Sequence, residues 1–181
     1  YFGAAQVAAA DTVLITGAIQ SNFTRTAAAM ARRLGLDIHI QMEERVPGVS
    51  QLYRDNGNVL LDKLLGATLH SYPHGEDEAG ADRAVAEIAD GLRAEGRRPY
   101  IIPLGADHPP LGALGYIVAA QELLTQLNDA DPFDEIFIAS GSGLTHIGLL
   151  YGLRALGSHV PVRGVCVRRD AASQRRRVRQ R

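Results

Sequence analysis

Cysteine and lysine are almost absent from this chain of 181 residues, which contains one of each, Cys166 and Lys63. A single cysteine excludes an internal disulfide bond. Cys166 lies within the apolar run Val162–Val167, which predicts a buried strand residue rather than a reactive thiol. No apolar stretch reaches the length of a transmembrane helix, and no signal-peptide pattern opens the chain. We therefore expect a cytoplasmic protein without a membrane partner.

The sequence also lacks an excess of either charge, since its formal net charge is −1. Such a chain has no global field to attract nucleic acid, so we expect no nucleic-acid partner. The charge is unevenly distributed, because residues 163–181 contain eight arginines and one acidic residue, Asp170. The final run from Arg175 to Arg181 fits a polyanion-binding tail or a solvated helix turn, and we favour the helix turn.

Short β-branched runs alternate with helical patterns along the whole chain. This alternation, with short connections, is typical of βαβ units on parallel sheets, so the sequence predicts an α/β fold. The predicted strands are Thr12–Thr16, Asp37–Met42, Thr68–Tyr72, Pro99–Pro103, Glu135–Ala139 and Val160–Val167. The predicted helices are Phe2–Ala10, Asn22–Leu34, Gly57–Leu65, Ala79–Glu95, Ala113–Leu127 and Gly143–Leu156.

Three prolines and a glycine within residues 103–110 interrupt this alternation. We therefore predict two lobes, a small lobe at residues 1–102 and part of a large lobe at residues 103–181. The second lobe would have too few elements to cover both faces of a parallel sheet. Since the chain opens at Tyr1 inside a helical pattern, we expect a piece of a longer protein, incomplete at both ends.

The first candidate site is the turn that follows the apolar run Thr12–Ile15. Gly17 allows the chain to turn sharply, and Ser21 or Asn22 would cap the next helix. The N-terminus of a helix carries free N–H groups and a positive dipole end, so this turn could receive a carboxylate or a phosphate. An ordinary capped turn without a ligand is the alternative.

A second turn of the same kind follows the apolar run Phe137–Ala139. Its sequence Ser140-Gly141-Ser142-Gly143-Leu144-Thr145-His146 allows backbone N–H groups to converge on a phosphate. The spacing does not match a dinucleotide fingerprint or a P-loop, which favours a small phosphate-bearing cofactor over NAD or ATP. Since parallel strands deliver their carboxyl ends to one edge, we expect the two turns to share a crevice. One turn would hold the cofactor phosphate and the other the substrate carboxylate.

Several segments resemble the D-cysteine desulfhydrase and 1-aminocyclopropane-1-carboxylate deaminase family. The matching segments are GAIQSN at 17–22, EERVPG at 43–48, GNVLLDKLLGA at 57–67, EGRRPYIIPLG at 95–105, HPPLGALGY at 108–116 and ASGSGLTHIGL at 139–149. The resemblance spans nearly the whole chain in the family's order. It implies a fold-type-II, tryptophan synthase β-like architecture with pyridoxal 5′-phosphate (PLP) as the cofactor.

The resemblance also implies roles for individual residues. Asn22 would bind the phenolic oxygen of the cofactor. Ser21 would meet the substrate carboxylate, and in the deaminase branch its hydroxyl would also take part in proton transfer, while Gln20 would shape the same substrate-binding turn. The residues that would wrap the cofactor phosphate are Gly141, Ser142, Gly143, Leu144 and Thr145.

Three departures from the family pattern affect this expectation. Phe23 stands where the family commonly has histidine or glutamine, which weakens any claim to a particular substrate. Leu144 replaces a usual glycine, which is tolerable only if this position needs no positive φ. Lys63 lies in a helical stretch and is expected to be solvated, so the chain would lack the lysine that holds the cofactor covalently. We expect the chain alone to be inactive.

The sequence thus predicts a PLP-dependent lyase or deaminase of amino-acid metabolism that acts on a small amino acid. D-cysteine desulfhydration is the first choice and 1-aminocyclopropane-1-carboxylate deamination the second. A truncated, non-catalytic homologue is the alternative of another class. The family resemblance suggests a homodimer. The six histidines lack metal-ligand spacing, and most of them are expected in loops or at strand ends, with only His146 near the crevice.

Overall fold

The computed structural model describes residues 1–75, 77–105, 108–127 and 133–180. The chain forms two compact units, Tyr1–Gly105 and Ala106–Arg181. Within the described ranges, no helix is both long enough and apolar enough to cross a membrane.

The first unit contains a four-stranded, fully parallel sheet with the strand order β3-β2-β1-β4. The central strand β1 is buried along nearly its whole length, as an apolar run between two neighbours requires. The strands are β1 (Thr12–Ala18), β2 (Asp37–Glu43), β3 (Thr68–Tyr72) and β4 (Pro99–Ile102). The helices are α1 (Phe2–Val7), α2 (Asn22–Arg33), α3 (Gln51–Asp55), α4 (Asn58–Leu64) and α5 (Glu78–Ala94).

Alternate residues of β1 pack on opposite faces of this sheet. Val13 and Ile15 lie in one buried cluster with alanines of α1 and α2. Leu14 lies in another cluster with Val85 and Ala89 of α5. The period of two in β1 therefore places helices on both faces, which is the doubly wound arrangement.

The strand order places a topological switch point beside β1. The chain leaves β1 for β2 and β3 on one side and later returns to β4 on the other side. In open α/β sheets of this kind, ligands bind outside the carboxyl ends of the strands at the switch point. The turn between Ala18 and Asn22, which follows β1 directly, occupies this position.

The second unit contains two parallel strands and three helices. Its elements are α6 (Leu111–Gln126), β5 (Ile136–Ser140), α7 (Leu144–Ala155), β6 (Val162–Cys166) and α8 (Ala171–Arg179). Ile136 pairs with Val162 and Ser140 pairs with Cys166 in the β5–β6 ladder. The small core joins Ala120 of α6 to Leu149 and Leu153 of α7.

One face of the β5–β6 pair is exposed within this unit. Phe137 is 68% exposed and Val165 is 54% exposed. The sequence predicted such an uncovered sheet face from the small number of elements in this region. Cys166 lies at the end of β6 and is exposed, so the prediction of a buried cysteine was wrong.

The predicted α/β class and parallel sheets are confirmed, and the observed strands lie close to the predicted ones. The short helix α3 was not predicted. The arginine-rich run lies in the nine-residue helix α8, and Arg175, Arg176 and Arg179 are exposed, as expected for a solvated helix turn. The burial of Arg177 was not predicted because it depends on a partner elsewhere in the chain.

Asp62 is a buried acidic residue in the first unit. It lies on α4 with 1% of its surface exposed, and neither carboxylate oxygen has a hydrogen-bond partner among the described residues. Burial raises the pKa of Asp62 to about 6, although the nearby positive charge of Arg25 opposes the shift. The folded chain therefore binds the proton of this side chain more tightly than the unfolded chain does.

We expect Asp62 to make stability pH-dependent. Because its pKa is raised on folding, its contribution is fully present below the ordinary aspartate value of 3.8 and is lost as the pH rises through about 6. Relative to Asp62→Asn, which does not titrate, the unsubstituted chain should lose at most about 3 kcal/mol of unfolding free energy across this window. Urea unfolding at several pH values between 4 and 8 measures the difference.

Asp55→Asn provides the control for this experiment. The Asp55 carboxylate is exposed and its pKa is lowered by a hydrogen bond from Lys63, so the sign of its small effect is opposite. A constant difference between the chain and Asp62→Asn at all pH values would contradict the account.

Candidate functional site

The turn after β1 is built around the cap of helix α2. Ser21 Oγ accepts hydrogen bonds from the backbone N–H groups of Phe23, at 3.1 Å, and Thr24, at 3.3 Å. A Cβ at Gly17 would lie 2.8 Å from Thr24 Cγ2 and 3.2 Å from Ser21 Oγ, so only glycine allows the helix to start this close to the strand. The predicted Ser21 cap is therefore observed. Because the Ser21 oxygen accepts both bonds, its hydroxyl proton is still available to a ligand.

Two other predicted residues of this turn bind neighbouring elements. Gln20 Nε2 donates to the backbone oxygen of Tyr53 at 2.6 Å. Asn22 is exposed, and its Oδ1 accepts a hydrogen bond from Asn58 Nδ2 at 3.0 Å. The sequence assigned Gln20 only a shaping role, whereas the structure shows that it anchors the turn to the α3–α4 connection.

A buried polar cluster lies at the carboxyl ends of β1 and β2. Thr16 Oγ1 donates to Glu43 Oε1 at 2.9 Å, and Glu43 is almost fully buried. Arg45 binds the other oxygen, Glu43 Oε2, through Nε at 3.0 Å and a terminal nitrogen at 2.8 Å. Buried charges need such partners. Glu43 and Arg45 belong to the EERVPG segment of the family resemblance, which implied no role for them.

The glycine-rich loop between β5 and α7 presents bare backbone N–H groups. Gly143 adopts a left-handed conformation with φ +92°, and Leu144 begins the helix. Leu144 therefore needs no positive φ, so its departure from the usual glycine is tolerated. In the described part of the chain we find no acceptor for the N–H groups of Ser142, Gly143, Thr145 and His146.

The carbonyl groups of the same loop are held by α8 and the segment before it. The Gly141 oxygen accepts from Gln174 Nε2 at 3.1 Å and from Arg169 at 3.2 Å. The Ser142 oxygen accepts from Arg177 Nε at 3.0 Å. In a trans peptide the N–H points opposite to the C=O, so the N–H groups of Ser142 and Gly143 point away from α8. This arrangement fits a phosphate, which binds such converging N–H groups at a helix N-terminus.

A cavity of about 240 Å³ lies beside the glycine-rich loop in the second unit. Its lining includes Ser140, His146, Cys166 and Gln174. His146 Nδ1 lies 3.3 Å from Ser140 Oγ, which also accepts a hydrogen bond from Gln174 Nε2 at 2.9 Å. His146 therefore lies next to the loop. Among the residues that the structure describes, no group of three or more histidine, cysteine or acidic side chains could hold a metal ion.

Two of the six histidines lie within strands that the sequence predicted. His39 and His70 lie on the neighbouring strands β2 and β3, with stacked rings and 3.0 Å between His39 Nδ1 and His70 Nε2. Burial lowers the pKa of both imidazoles, and for His39 the charge of His70 adds to this effect. These side chains are strand residues because both strands continue past them.

Lys63 lies on α4 in the first unit. Its Nζ is 2.8 Å from Asp55 Oδ1, and both side chains are close to half exposed. Such exposed pairs contribute little to stability. This environment agrees with the expected solvated helix lysine.

The parallel sheets and their flanking helices define an α/β protein. The sequence model of the family described as "Pyridoxal-phosphate dependent enzyme" matches residues 2–180. The chain belongs to this family, whose cofactor is pyridoxal phosphate, and its fold is that of the fold-type-II members.

Individual relatives agree with this assignment. The chain is 39% identical to a D-cysteine desulfhydrase of Klebsiella pneumoniae over 165 residues, which are 91% of this chain and 49% of the relative. It is 37% identical to a D-cysteine desulfhydrase of Salmonella typhi over 169 residues, or 93% and 50% of the two chains. The chain thus spans about half the length of the curated relatives it matches.

Solved structures show the same relationship. The crystal structure of an ACC deaminase homologue is 33% identical, with a TM-score of 0.80 over 99% of this chain and 53% of that one. An O-ureido-L-serine synthase shares the fold at 18% identity, with a TM-score of 0.67 over 90% and 48% of the two chains.

Proposed function

We propose that these residues form the central part of a PLP-dependent lyase or deaminase that acts on a small amino acid. D-cysteine desulfhydration, in which D-cysteine and water give pyruvate, sulfide and ammonia, is the first choice. The support is the 37–39% identity to enzymes named for this activity. The single structural observation that carries the proposal is the set of backbone N–H groups without an acceptor among the described residues, at Ser142, Gly143, Thr145 and His146.

The proposal assigns the cofactor phosphate to the glycine-rich loop. Its N–H groups point away from α8, and Gly143 supplies the left-handed turn that makes them converge. The hydroxyl groups of Ser142 and Thr145 would add donors to the phosphate oxygens. The predicted wrapping residues Gly141, Ser142, Gly143, Leu144 and Thr145 are therefore retained as the proposed phosphate site.

The proposal assigns the substrate side to the turn after β1. Ser21 would offer its hydroxyl proton to the substrate carboxylate, because its oxygen already accepts from two amides. Asn22 would donate through Nδ2 to the phenolic oxygen of the cofactor, and Gln20 would hold this turn in place. Bound pyridoxal phosphate would act as the electron sink for bond breaking at the substrate α-carbon. That the two turns share one crevice stays a prediction.

Removal of the α-proton needs a lysine amine that this chain does not supply in the proposed site. Lys63 is its one lysine, and Asp55 holds that side chain on the exposed side of α4. The proposal therefore concerns a protein in which these residues are joined to a segment that carries the lysine. Alone, the chain would be inactive. A homodimer and a cytoplasmic location are also retained as proposals.

Two other functions remain candidates for specific reasons. The 33% identity to an ACC deaminase homologue favours deamination of 1-aminocyclopropane-1-carboxylate as the runner-up. Phe23 does not favour either of these two substrates, because it places an apolar ring beside the proposed carboxylate turn. The exposed pairing of Lys63 favours the third candidate, a non-catalytic homologue that binds only a phosphate ligand.

The test uses the protein expressed with the coding sequence that flanks it in frame. We expect a visible absorbance band from lysine-bound cofactor and release of sulfide and pyruvate from D-cysteine, with L-cysteine as the stereochemical control. Faster turnover of 1-aminocyclopropane-1-carboxylate would establish the runner-up. A colourless protein without turnover of either substrate would contradict the enzymatic proposal.

A further inference from the structure

Gln20 is the centre of a hydrogen-bond network that joins the turn after β1 to α4. Its Nε2 donates to the backbone oxygens of Tyr53, at 2.6 Å, and Asn56, at 2.8 Å. Its Oε1 accepts from the backbone N–H of Asn58 at 2.9 Å. Because two carbonyl groups can only accept and an amide N–H can only donate, these partners fix the orientation of the Gln20 amide.

Asn58, the first residue of α4, is fixed in the same way. Its Nδ2 donates to the backbone oxygen of Gln20 at 3.1 Å and to Asn22 Oδ1 at 3.0 Å. Its Oδ1 accepts from Arg25 Nε at 3.4 Å. The backbone carbonyl of Gln20 can only accept a hydrogen bond, so the amide nitrogen of Asn58 must face that carbonyl. The orientation is therefore determined by the backbone rather than by Asn22.

These contacts determine the orientation of the Asn22 side-chain amide. Its Oδ1 receives two donors, Asn58 Nδ2 at 3.0 Å and the Arg25 guanidinium at 3.4 Å. A flipped Asn22 amide would place its own N–H groups against these donors, which is unfavourable. Among the described residues, Asn22 Nδ2 has no acceptor, and the side chain is exposed.

We propose that Asn58 is a positioning residue that holds the Asn22 amide with its oxygen bound and its nitrogen presented to an acceptor on the ligand. Gln20 supports this role because it fixes the backbone and the amide of Asn58. That the acceptor is the phenolic oxygen of the cofactor rests on the proposed function. The orientation of Asn22 itself does not rest on it.

The substitution Asn58→Asp tests the inference directly. A carboxylate cannot donate to Asn22 Oδ1, but it accepts from Asn22 Nδ2, so the Asn22 amide should flip. An acidic residue in the first turn of a helix is favourable, so α4 should persist. The matched control is Asn56→Asp, an exposed position two residues earlier whose Oδ1 accepts from the N–H of Gly57, a bond that a carboxylate preserves.

The first readout is the side-chain amide of Asn22 in the ¹⁵N-labelled chain without ligand. In the unsubstituted chain and in Asn56→Asp we expect its protons to exchange rapidly with water. In Asn58→Asp they should exchange at least several-fold more slowly and shift downfield, because they bind the new carboxylate. In Asn58→Ala the Asn22 amide should lose its fixed orientation, so its signals should be averages over several orientations. An Asn22 amide that is identical in all four chains would overturn the inference.

The second readout separates this inference from the proposed function. The chain is titrated with 4′-deoxypyridoxine 5′-phosphate, which has the phenolic oxygen and the phosphate but needs no lysine, and with inorganic phosphate. For Asn58→Asp we expect a roughly tenfold loss of affinity for the vitamer analogue and no change for phosphate, which is a difference of about 1.4 kcal/mol. If no chain binds the analogue, the proposed function fails, and the Asn22 exchange rates still decide the positioning role.

Discussion

Gly143→Ala should weaken binding of a B6 phosphate by about 5- to 150-fold. Gly143 has φ +92°, where a non-glycine residue costs about 1–3 kcal/mol, and a new Cβ would lie 3.4 Å from Val178 Cγ2. The loop would relieve this strain by leaving the conformation in which its N–H groups converge. Since about 1.4 kcal/mol corresponds to a tenfold change in affinity, a cost of this size gives the expected range. Titration with 4′-deoxypyridoxine 5′-phosphate measures it.

Gly157→Ala is the matched control for this substitution. Gly157 also has positive φ, at +79°, but it follows the C-terminus of α7, and an added Cβ would meet nothing within 4 Å. It should lower the free energy of unfolding by a similar amount and leave the affinity for the analogue unchanged. Equal losses of affinity in both variants would show that the effect is general destabilisation rather than disruption of the loop.

Of the four glycine substitutions, Gly148→Ala should cause the largest decrease in the free energy of unfolding, about 3 kcal/mol or more. Gly148 and Gly152, one turn apart on α7, face α6 at close range. A Cβ at Gly148 would overlap the carbonyl oxygen of Ala113 and lie 2.7 Å from Tyr116 Cβ. Because backbone atoms cannot move aside without separating the helices, the cost should reach the upper end of the range for overpacked cores. Urea unfolding of the whole chain measures the change.

Gly115→Ala on the partner helix supplies the comparison. It is the same substitution in a helix interior, but a Cβ there would meet nothing within 4 Å. Alanine has the higher helix propensity, so this variant should gain up to about 1 kcal/mol. If Gly148→Ala were as stable as Gly115→Ala, the close approach of α6 and α7 would be contradicted.

The turns and the central strands could be predicted because their signals are local. The buried run of β1, the Gly17 turn and the Ser21 cap all lie within ten residues, and each follows from residue type. The same is true of the glycine-rich loop, whose Gly143 supplies the only left-handed residue that the turn into α7 requires. The roles of these residues in catalysis stay predictions.

The supporting contacts could not be predicted, because they join residues far apart in the sequence. The sequence predicts that Arg177 is solvated like its neighbours. Its contact with the Ser142 carbonyl, 35 residues away, depends on the folded structure. The bond between Asn58 and Asn22 depends on the path of the chain through α3, which carries no strong pattern. Cys166 belongs to an apolar run, yet it is exposed at the end of β6. In each case the environment is set by tertiary packing.

The central claim is that the backbone N–H groups of Ser142, Gly143, Thr145 and His146 bind the phosphate of a B6 cofactor. The most direct test is a titration of the ¹⁵N-labelled chain with 4′-deoxypyridoxine 5′-phosphate, followed through the backbone amide signals. We expect the largest shifts at Ser142, Gly143, Thr145 and His146, with saturation at one equivalent. Shifts confined to the exposed arginines of α8, or no saturable shift at the loop, would contradict the claim.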